Sequence, residues 1–291
     1  MKIGTIISVH NRLNYTKRCL HCLNQASKKH LLDLIIIDDG STDNSNQWIK
    51  NNYPDAHLVK GNGDLWFGRS TQIGINIALS KNKYDYILII NNDTFLLEGS
   101  LDIMVEKARK VNVVGSLYEV EDLNQIRSCG FNWEIFKGLK DITLDKRWKG
   151  KSCNDNFIEV YSISTTATLF PINYLLDSSK IRIELHPHHR YDALLSSICR
   201  NHGAKFFVPK QILAHHIFGH RTTNKSTNTF SRFINDLFFD PLNVHYIPGI
   251  FNYAFAVAPN PVFAFIYIFK MNLYFLYKLL KGILNKEILI R

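Results

Sequence analysis

The run Tyr86-Ile87-Leu88-Ile89-Ile90 carries no charge and then stops at Asn91-Asn92-Asp93. So short a run, apolar at every position, is suited to a central parallel strand covered on both faces. Two more runs of this kind precede it. Lys2 to Val9 ends at His10-Asn11-Arg12, and Leu32 to Ile37 ends at Asp38-Asp39-Gly40-Ser41-Thr42-Asp43. Between them, Tyr15 to Gln25 places leucines and cysteines at helical spacing. Asn44 to Asn52 reads as a helix that Ser41, Thr42 or Asp43 can cap, and Ser70 to Ser80 as a further helix. His57-Leu58-Val59 is a short strand leading into the Gly61–Gly68 stretch, which contains Leu65-Trp66-Phe67. Strands alternating with helices predict an α/β fold with a doubly wound, parallel sheet and right-handed crossovers. Parallel strands bring their carboxyl ends to one edge, where ligands bind in open α/β sheets. Asn and Asp are ordinary turn residues, but the meeting of three polar clusters at one edge is more than turn chemistry supplies. One Asp beside two Asn also suits a hard divalent cation holding phosphate oxygens.

Composition narrows the class. With 46% hydrophobic residues the chain can bury a full core, and a formal net charge of +10, from 35 Lys+Arg against 25 Asp+Glu, favours an anionic partner. Five scattered cysteines (Cys19, Cys22, Cys129, Cys153 and Cys199) make no disulfide framework, and Cys19 and Cys22 fit helical core positions better than zinc. No GxGxxG loop follows the first strand, which removes the main support for a dinucleotide site, and HExxH is missing, which removes zinc hydrolase chemistry. The chain opens on a strand with no charged-then-apolar leader, so a cytoplasmic protein is expected.

The blocks Thr5-Ile6-Ile7-Ser8-Val9-His10-Asn11-Arg12, Ile36 to Asp43 and Ile89 to Asp93 resemble the opening motifs of the family 2 glycosyltransferases. The resemblance is close over the first third of the chain and fades towards residue 220. It implies a GT-A-like fold, a mostly parallel sheet flanked by helices, and inverting transfer from a nucleotide-diphosphate sugar. Gly61 to Ile75 resembles a subgroup containing rhamnosyltransferases. By this resemblance Ser8, Asn11, Asp39, Trp66, Arg69 and Asn92 bind the donor, Asp39 at the nucleobase. Asp93 is then the metal-binding acid of a DxD-type motif, for Mg²⁺ or Mn²⁺. The chain departs from the family by carrying Asn91 and Asn92 where Asp is common, which lowers the charge of the metal site.

Further along, Val113 to Ser116 reads as a strand. Glu119 to Asn156, with Trp133 and Trp148, is expected to be an acceptor-facing excursion, and Val160 to Phe170 a strand closed by Pro171. Asp192 opens a helix that ends at Gly203, where the helix N-terminus favours a carboxylate. The plain reading of Asp192 is a capping residue. The family resemblance makes it the general base that takes the acceptor's proton. Ala204 to Pro209 is another strand, followed by His215, His216, His220 and Arg221. These resemble a C-terminal histidine that reaches the metal or diphosphate in some family members. Alternation along a strand points His215 and His216 to opposite faces, and His216 is the one assigned to the metal.

Residues 1–225 are expected to form the catalytic domain and 226–291 a helical, apolar and basic extension. The aromatic stretch of that extension is punctuated by Pro259 and Pro261 and interleaved with Lys270, Lys278, Lys281, Lys286 and Arg291. This pattern suits an interfacial helix on an anionic membrane surface, with packing on the catalytic domain or in a homo-oligomer as the alternative. The expected protein is therefore a glycosyltransferase, peripheral on the inner face of the cell membrane. Its acceptor would be a glycan or lipid-linked sugar of bacterial surface polysaccharide (O-antigen or capsule), and nucleic acid is not an expected partner. The rivals are a nucleotidyltransferase and a scaffold that kept the fold but lost activity.

Overall fold

A computed structural model describes residues 1–27, 29–134, 137–144, 156–217 and 230–284. Trp148, Cys153, His220, Arg221, Lys286 and Arg291 lie outside them, as do the side chains of Lys278 and Lys281. The first half alternates as the apolar runs require: β1 (Lys2–Val9), α1 (Leu13–Ala26), β2 (Leu31–Asp38), α2 (Ser45–Asn52), β3 (His57–Lys60), α3 (Trp66–Lys81) and β4 (Tyr86–Asn91). β1 lies between β2 and β4 and is parallel to both, and β3 extends the parallel set beyond β2. Ile3, Ile6 and Ile7 of β1, Ile35 to Ile37 of β2 and Ile87 to Ile90 of β4 are all buried, which is why these runs carry no polar alternation. The connections through α1 and α2 step away from β4, whereas the one through α3 steps back. With right-handed crossovers α3 covers the opposite face from α1 and α2, and the strand order reverses between β1 and β4.

The remaining elements are β5 (Thr94–Leu96), α4 (Ser100–Ala108), β6 (Asn112–Gly115), β7 (Leu117–Val120), β8 (Gln125–Ser128), β9 (Gly130–Glu134), β10 (Gly138–Asp141), β11 (Phe157–Val160), β12 (Ser162–Ile163), β13 (Ala167–Pro171), α5 (Tyr191–Asn201), β14 (Lys205–Pro209) and β15 (Ala214–His216), with α6 (Phe230–Phe238), α7 (Ile247–Val257) and α8 (Pro261–Leu284) at the C-terminal end. The main sheet has the order β11-β14-β6-β13-β4-β1-β2-β3. It is mixed: β13 runs antiparallel between β4 and β6, and β11 antiparallel beside β14. This is the mostly parallel, helix-flanked sheet with C-terminal helices that the sequence predicts.

Two expectations need correction. Val160 to Phe170 is not one strand but parts of three, because the chain changes sheets. β12 pairs with β9, and β13 enters the main sheet. At the crossing Ser164, Thr166 and Thr168 satisfy one another and the backbone. The third helix starts at Trp66, one turn before the expected Ser70, because its first amides are satisfied by a distant carboxylate, described below.

The C-terminal helices have two unlike faces. α7 lies on α5, with Tyr253 and Val257 buried in the main core. Tyr161 donates from its hydroxyl to the Val257 carbonyl at 2.6 Å, Arg200 donates to the same carbonyl at 3.2 Å, and Ser197 donates to that of Ala256. These bonds satisfy carbonyls that a helix C-terminus leaves open. α8 packs on α7 through Ala254, Ala264 and Ile268, and the two alanines let the backbones approach. Phe265, Phe269, Leu273 and Leu276, between 50% and 66% exposed, face outward. Among the described residues no helix is long and apolar enough to cross a membrane.

His186 joins the C-terminal helices to the segment before α5. It is buried, and its Nε2–H donates to the Asn252 side-chain carbonyl at 2.9 Å. Burial pushes its pKa down from about 6.5 to about 4. The unfolded chain therefore takes a proton as pH falls through the range between those values while the native protein does not. Stability present above pH 6.5 is lost towards pH 4, by up to about 3 kcal/mol. We expect denaturation midpoints to fall over that interval and the fall to be smaller in His186→Gln. An unchanged pH slope in the variant would remove His186 from the linkage.

Candidate active site

The loops after β1 and β2 are cross-braced. The Asn11 amide donates to Ser41 Oγ at 2.8 Å, the Thr42 amide to Asn11 Oδ1 at 2.9 Å, and the Leu13 amide to Asp43 Oδ2 at 2.7 Å. His10 Nδ1 reaches the Asp39 carbonyl at 2.5 Å. Asn11 and Arg12 are both left-handed, with φ of 57° and 63°, a costly conformation for residues other than glycine that the braces hold in place. Burial works against the charge of Asp43, but hydrogen bonds from Ser45 and Leu13 outweigh it and keep the carboxyl below its usual range.

Asp39 performs the same task for the next loop. Its carboxylate is buried and accepts the amides of Gly63 at 2.8 Å and of Leu65 and Trp66 at 3.0 Å each. The last two open α3, so a residue of another strand's loop supplies the acceptor that a local N-cap ordinarily would. Gly40 makes this possible: it has φ of 67°, and a Cβ there would lie 2.8 Å from the Gly63 amide nitrogen. Gly68 does the equivalent on the far side, its amide donating to the Pro187 carbonyl at 2.8 Å. This contact draws His188 against Trp66, with ring centroids 5.5 Å apart.

Between these loops and the end of β4 lies a cavity of about 410 Å³. It sits at the reversal between β1 and β4, where open α/β sheets take ligands. Ser8, Asp39, Trp66, Asn92 and Asp93 line it, all of them expected donor or metal residues. His10, Arg12, Gly63, Phe67 and His188 line it as well, although sequence reasoning assigned them no role. Arg12 was recoverable as the last residue of the first polar cluster. His188 was not, because a contact more than a hundred positions away places it. A second cleft, of about 580 Å³ between α4 and the β11–β14 edge, includes none of the three polar clusters.

Asp93 is the charged centre of the cavity. Arg12 Nη1 lies 2.8 Å from its Oδ2, and His216 Nδ1 lies 3.5 Å from its Oδ1 and 2.9 Å from Thr94 Oγ1. The histidine arrives by strand pairing, since β15 is antiparallel to β5 with His216 opposite Thr94. His215 turns the other way, towards Glu119 at 3.3 Å. Burial pushes the Asp93 carboxyl above the usual range despite the pull of His216 and Arg12, and pushes the His216 imidazole down despite Asp93. Asp93 Oδ1, Asn91 Oδ1 and Ser8 Oγ are buried without hydrogen-bond partners. Three bare oxygen acceptors beside one cavity fit a hard cation. No group of three His, Cys, Asp or Glu able to hold a metal occurs among the described residues, so further ligands would have to come from a bound molecule or water.

Asn11, Arg69, Asp192 and His216 stand outside the lining. Asn11 braces the loops, Arg69 donates to the Asp64 carbonyl at 3.0 Å, and Asn92, which does line the cavity, also donates to Thr16 Oγ1 at 3.1 Å. Asp192 opens α5, four residues beyond His188, and accepts its neighbour Ala193's amide at 2.9 Å. Burial raises its pKa, and no cationic side chain pairs with it among the described residues.

The family model for glycosyl transferase family 2 matches residues 5–155, more than half of the chain. An uncharacterized glycosyltransferase of Haemophilus influenzae is 36% identical over 112 residues, covering 36% of this chain and 42% of its own length. The glycosyltransferase GlyG of Streptococcus pneumoniae is 24% identical over 128 residues, covering 41% and 40%. The chain thus spans about two fifths of the curated relatives it matches. Among solved structures, S. aureus TarS residues 1–349 in complex with UDP superposes with a TM-score of 0.57 at 12% identity, covering 90% of this chain and 67% of the other. GalNAc-T7 with UDP, GalNAc and Mn²⁺ gives 0.59 at 12% identity, covering 99% and 59%. At such identities the likeness is one of fold, and that fold is GT-A.

The three-amide arrangement at Asp39 yields a sharp expectation. Asp39→Asn puts an amide donor against one or two backbone donors, so it should cost about 1.5–3 kcal/mol and speed hydrogen exchange at Gly63, Leu65 and Trp66. Unchanged exchange at those amides would show that the loop holds without the carboxylate.

Proposed function

The chain belongs to glycosyl transferase family 2, and on that premise we propose that it moves a sugar from a nucleotide-diphosphate donor to a glycan or lipid-linked acceptor, with inversion at the anomeric carbon. The observation that carries this reading is the cavity at the β1–β4 reversal, where Asp39, the half-exposed Trp66 ring and the unpartnered oxygens around Asp93 meet. A nucleobase and ribose fit beside Asp39 and Trp66, and the diphosphate beside Arg12 and Asp93. In the transfer the acceptor hydroxyl oxygen attacks the anomeric carbon, the bond from that carbon to the diphosphate breaks, and the proton passes to Asp192. A carboxyl with a raised pKa is suited to that task. Asp93 and His216 would hold a divalent cation, Mg²⁺ or Mn²⁺, which when bound offsets charge on the leaving diphosphate. Arg12 brings a fixed positive charge to the same carboxylate, which suits a chain with Asn91 and Asn92 where relatives often carry Asp. We assign the donor sugar to the hexosyl or deoxyhexosyl class, in the rhamnosyltransferase-like subgroup, and the product to bacterial surface polysaccharide. Nucleotidyl transfer and a binding-only scaffold are the rivals.

The outward face of α8 supports docking on the inner face of the cell membrane. Phe265, Phe269, Leu273 and Leu276 share it with the exposed Lys270. An apolar stripe edged by a lysine matches an interfacial helix on anionic lipid.

Two experiments test these readings. With a panel of nucleotide sugars, Asp192→Asn should cost about 10²–10⁴ in transfer while nucleotide affinity holds. Asp93→Asn should lower both, even with Mn²⁺ present. Near-normal transfer in either variant overturns that residue's role, and absence of donor turnover with every sugar favours the scaffold. For docking, the full chain should float with phosphatidylglycerol vesicles at low salt and be released as salt rises, whereas Phe265→Ser with Phe269→Ser should stay soluble. A chain that stays soluble and sediments as a dimer would make this face a contact between copies.

A further inference from the structure

A cavity of about 510 Å³ lies between α5 and α7, away from the site described above. Its polar lining is one-sided: Lys180, Arg182 and Arg200 with Ser197, Asn252 and Asn260, and no Asp or Glu among the lining residues. The carbonyls at the end of α7 would repel an anion, but they are already engaged. Ser197 donates to Ala256, and Arg200 to Val257 and, at 3.0 Å, to Tyr161. Burial lowers the pKa of Arg200, and no carboxylate pairs with its guanidinium among the described residues. Lys180 and Arg182 are exposed and touch Asp177 at 2.6 Å and Glu184 at 2.9 Å. Exposed pairs of this kind are weak and readily exchanged. The cleft also opens at the rim of the apolar face: Phe255 and Pro261 line it, and the Phe255 ring meets that of Phe265 edge-on at 5.1 Å.

Positive charge and amides within, with exposed aromatic rings at the mouth, match a ligand that is anionic at one end and apolar at the other. We infer that this cleft binds the phosphate headgroup of an anionic phospholipid and so fixes how the enzyme sits on the membrane. The inference rests on the docking of α8 and specifies where the headgroup goes.

The test uses a lipid that needs no bilayer. Dihexanoyl-phosphatidylglycerol below its micelle concentration, titrated into the full chain and followed by calorimetry, should bind saturably. Lys180→Gln with Arg182→Gln should weaken binding about tenfold or more, as expected for losing two cations at a phosphate. Lys180→Arg with Arg182→Lys should retain it, and the remote pair Lys29→Gln with Lys50→Gln, which removes the same charge from exposed positions, should leave it unchanged. No saturable binding, an equal loss in the remote pair, or inorganic phosphate binding as tightly as the lipid would each overturn the inference. Vesicle flotation of the Phe265/Phe269 variant reports on α8 docking and nucleotide titration on the donor site, so failure of either reading is separable from failure at the cleft.

Discussion

The buried carboxylate of Asp39 ties the parallel half of the molecule together. It belongs to the loop after β2, yet it satisfies three amides of the loop after β3, two of them at the start of α3. Leaving buried donors unmade is expensive, more so than the gain from making them, so the start of α3 depends on this one side chain. α3 in turn carries Trp66, and the Gly68 contact with Pro187 brings the segment before α5 into the cavity. A chain of hydrogen bonds to backbone amides thus runs from the loop after the second strand to the segment before α5, the helix whose first turn carries Asp192.

The opposite wall is electrostatic. Asp93 is desolvated, which disfavours its charge, and is flanked by one certain cation, Arg12, and one conditional cation, His216. The left-handed backbone at Asn11 and Arg12 delivers the guanidinium to this position, and the braces to Ser41, Thr42 and Asp43 maintain that backbone. Much of the Asp-Asp-Gly-Ser-Thr-Asp motif therefore works as framework. Asp38 accepts from Ser41 and Asn46, Asp39 holds the Gly63–Trp66 loop, and Asp43 caps the approach to α1. In the proposed function a nucleobase at Asp39 would meet a group whose orientation is already set, which limits the reorganisation a ligand must drive.

The C-terminal helices show why an apolar stretch read from sequence has no single meaning. Tyr253, Val257 and Phe275 are buried by packing, whereas Phe265, Phe269 and Leu276 are exposed, although all come from the same aromatic-rich composition. The division follows helical periodicity: one side of α8 packs on α7, on Leu237 of α6 and on Trp133 of β9, and no described element covers the other. The uncovered face and the basic cleft at its rim lie side by side, and the proposed membrane docking rests on that adjacency.

The apolar runs of β1, β2 and β4 and the polar clusters that end them were legible without a structure. Burial on both faces demands continuous aliphatic residues, and parallel strands must end at a common edge. Those local rules carried the order of the first seven elements and the meeting of Asp39, Asn92 and Asp93, and the family resemblance added Ser8. The opposed faces of His215 and His216 likewise follow from strand alternation. What the sequence could not decide were relations between distant segments whose partners share no local pattern. These include the switch of Val160 to Phe170 between sheets, the capping of α3 by a residue 26 positions away from Leu65, the placement of His188 and the approach of Arg12 to Asp93. They also include which face of each C-terminal helix is buried. Each depends on a hydrogen bond or packing contact formed only once the chain has closed on itself, and tertiary structure alone sets which donor meets which acceptor.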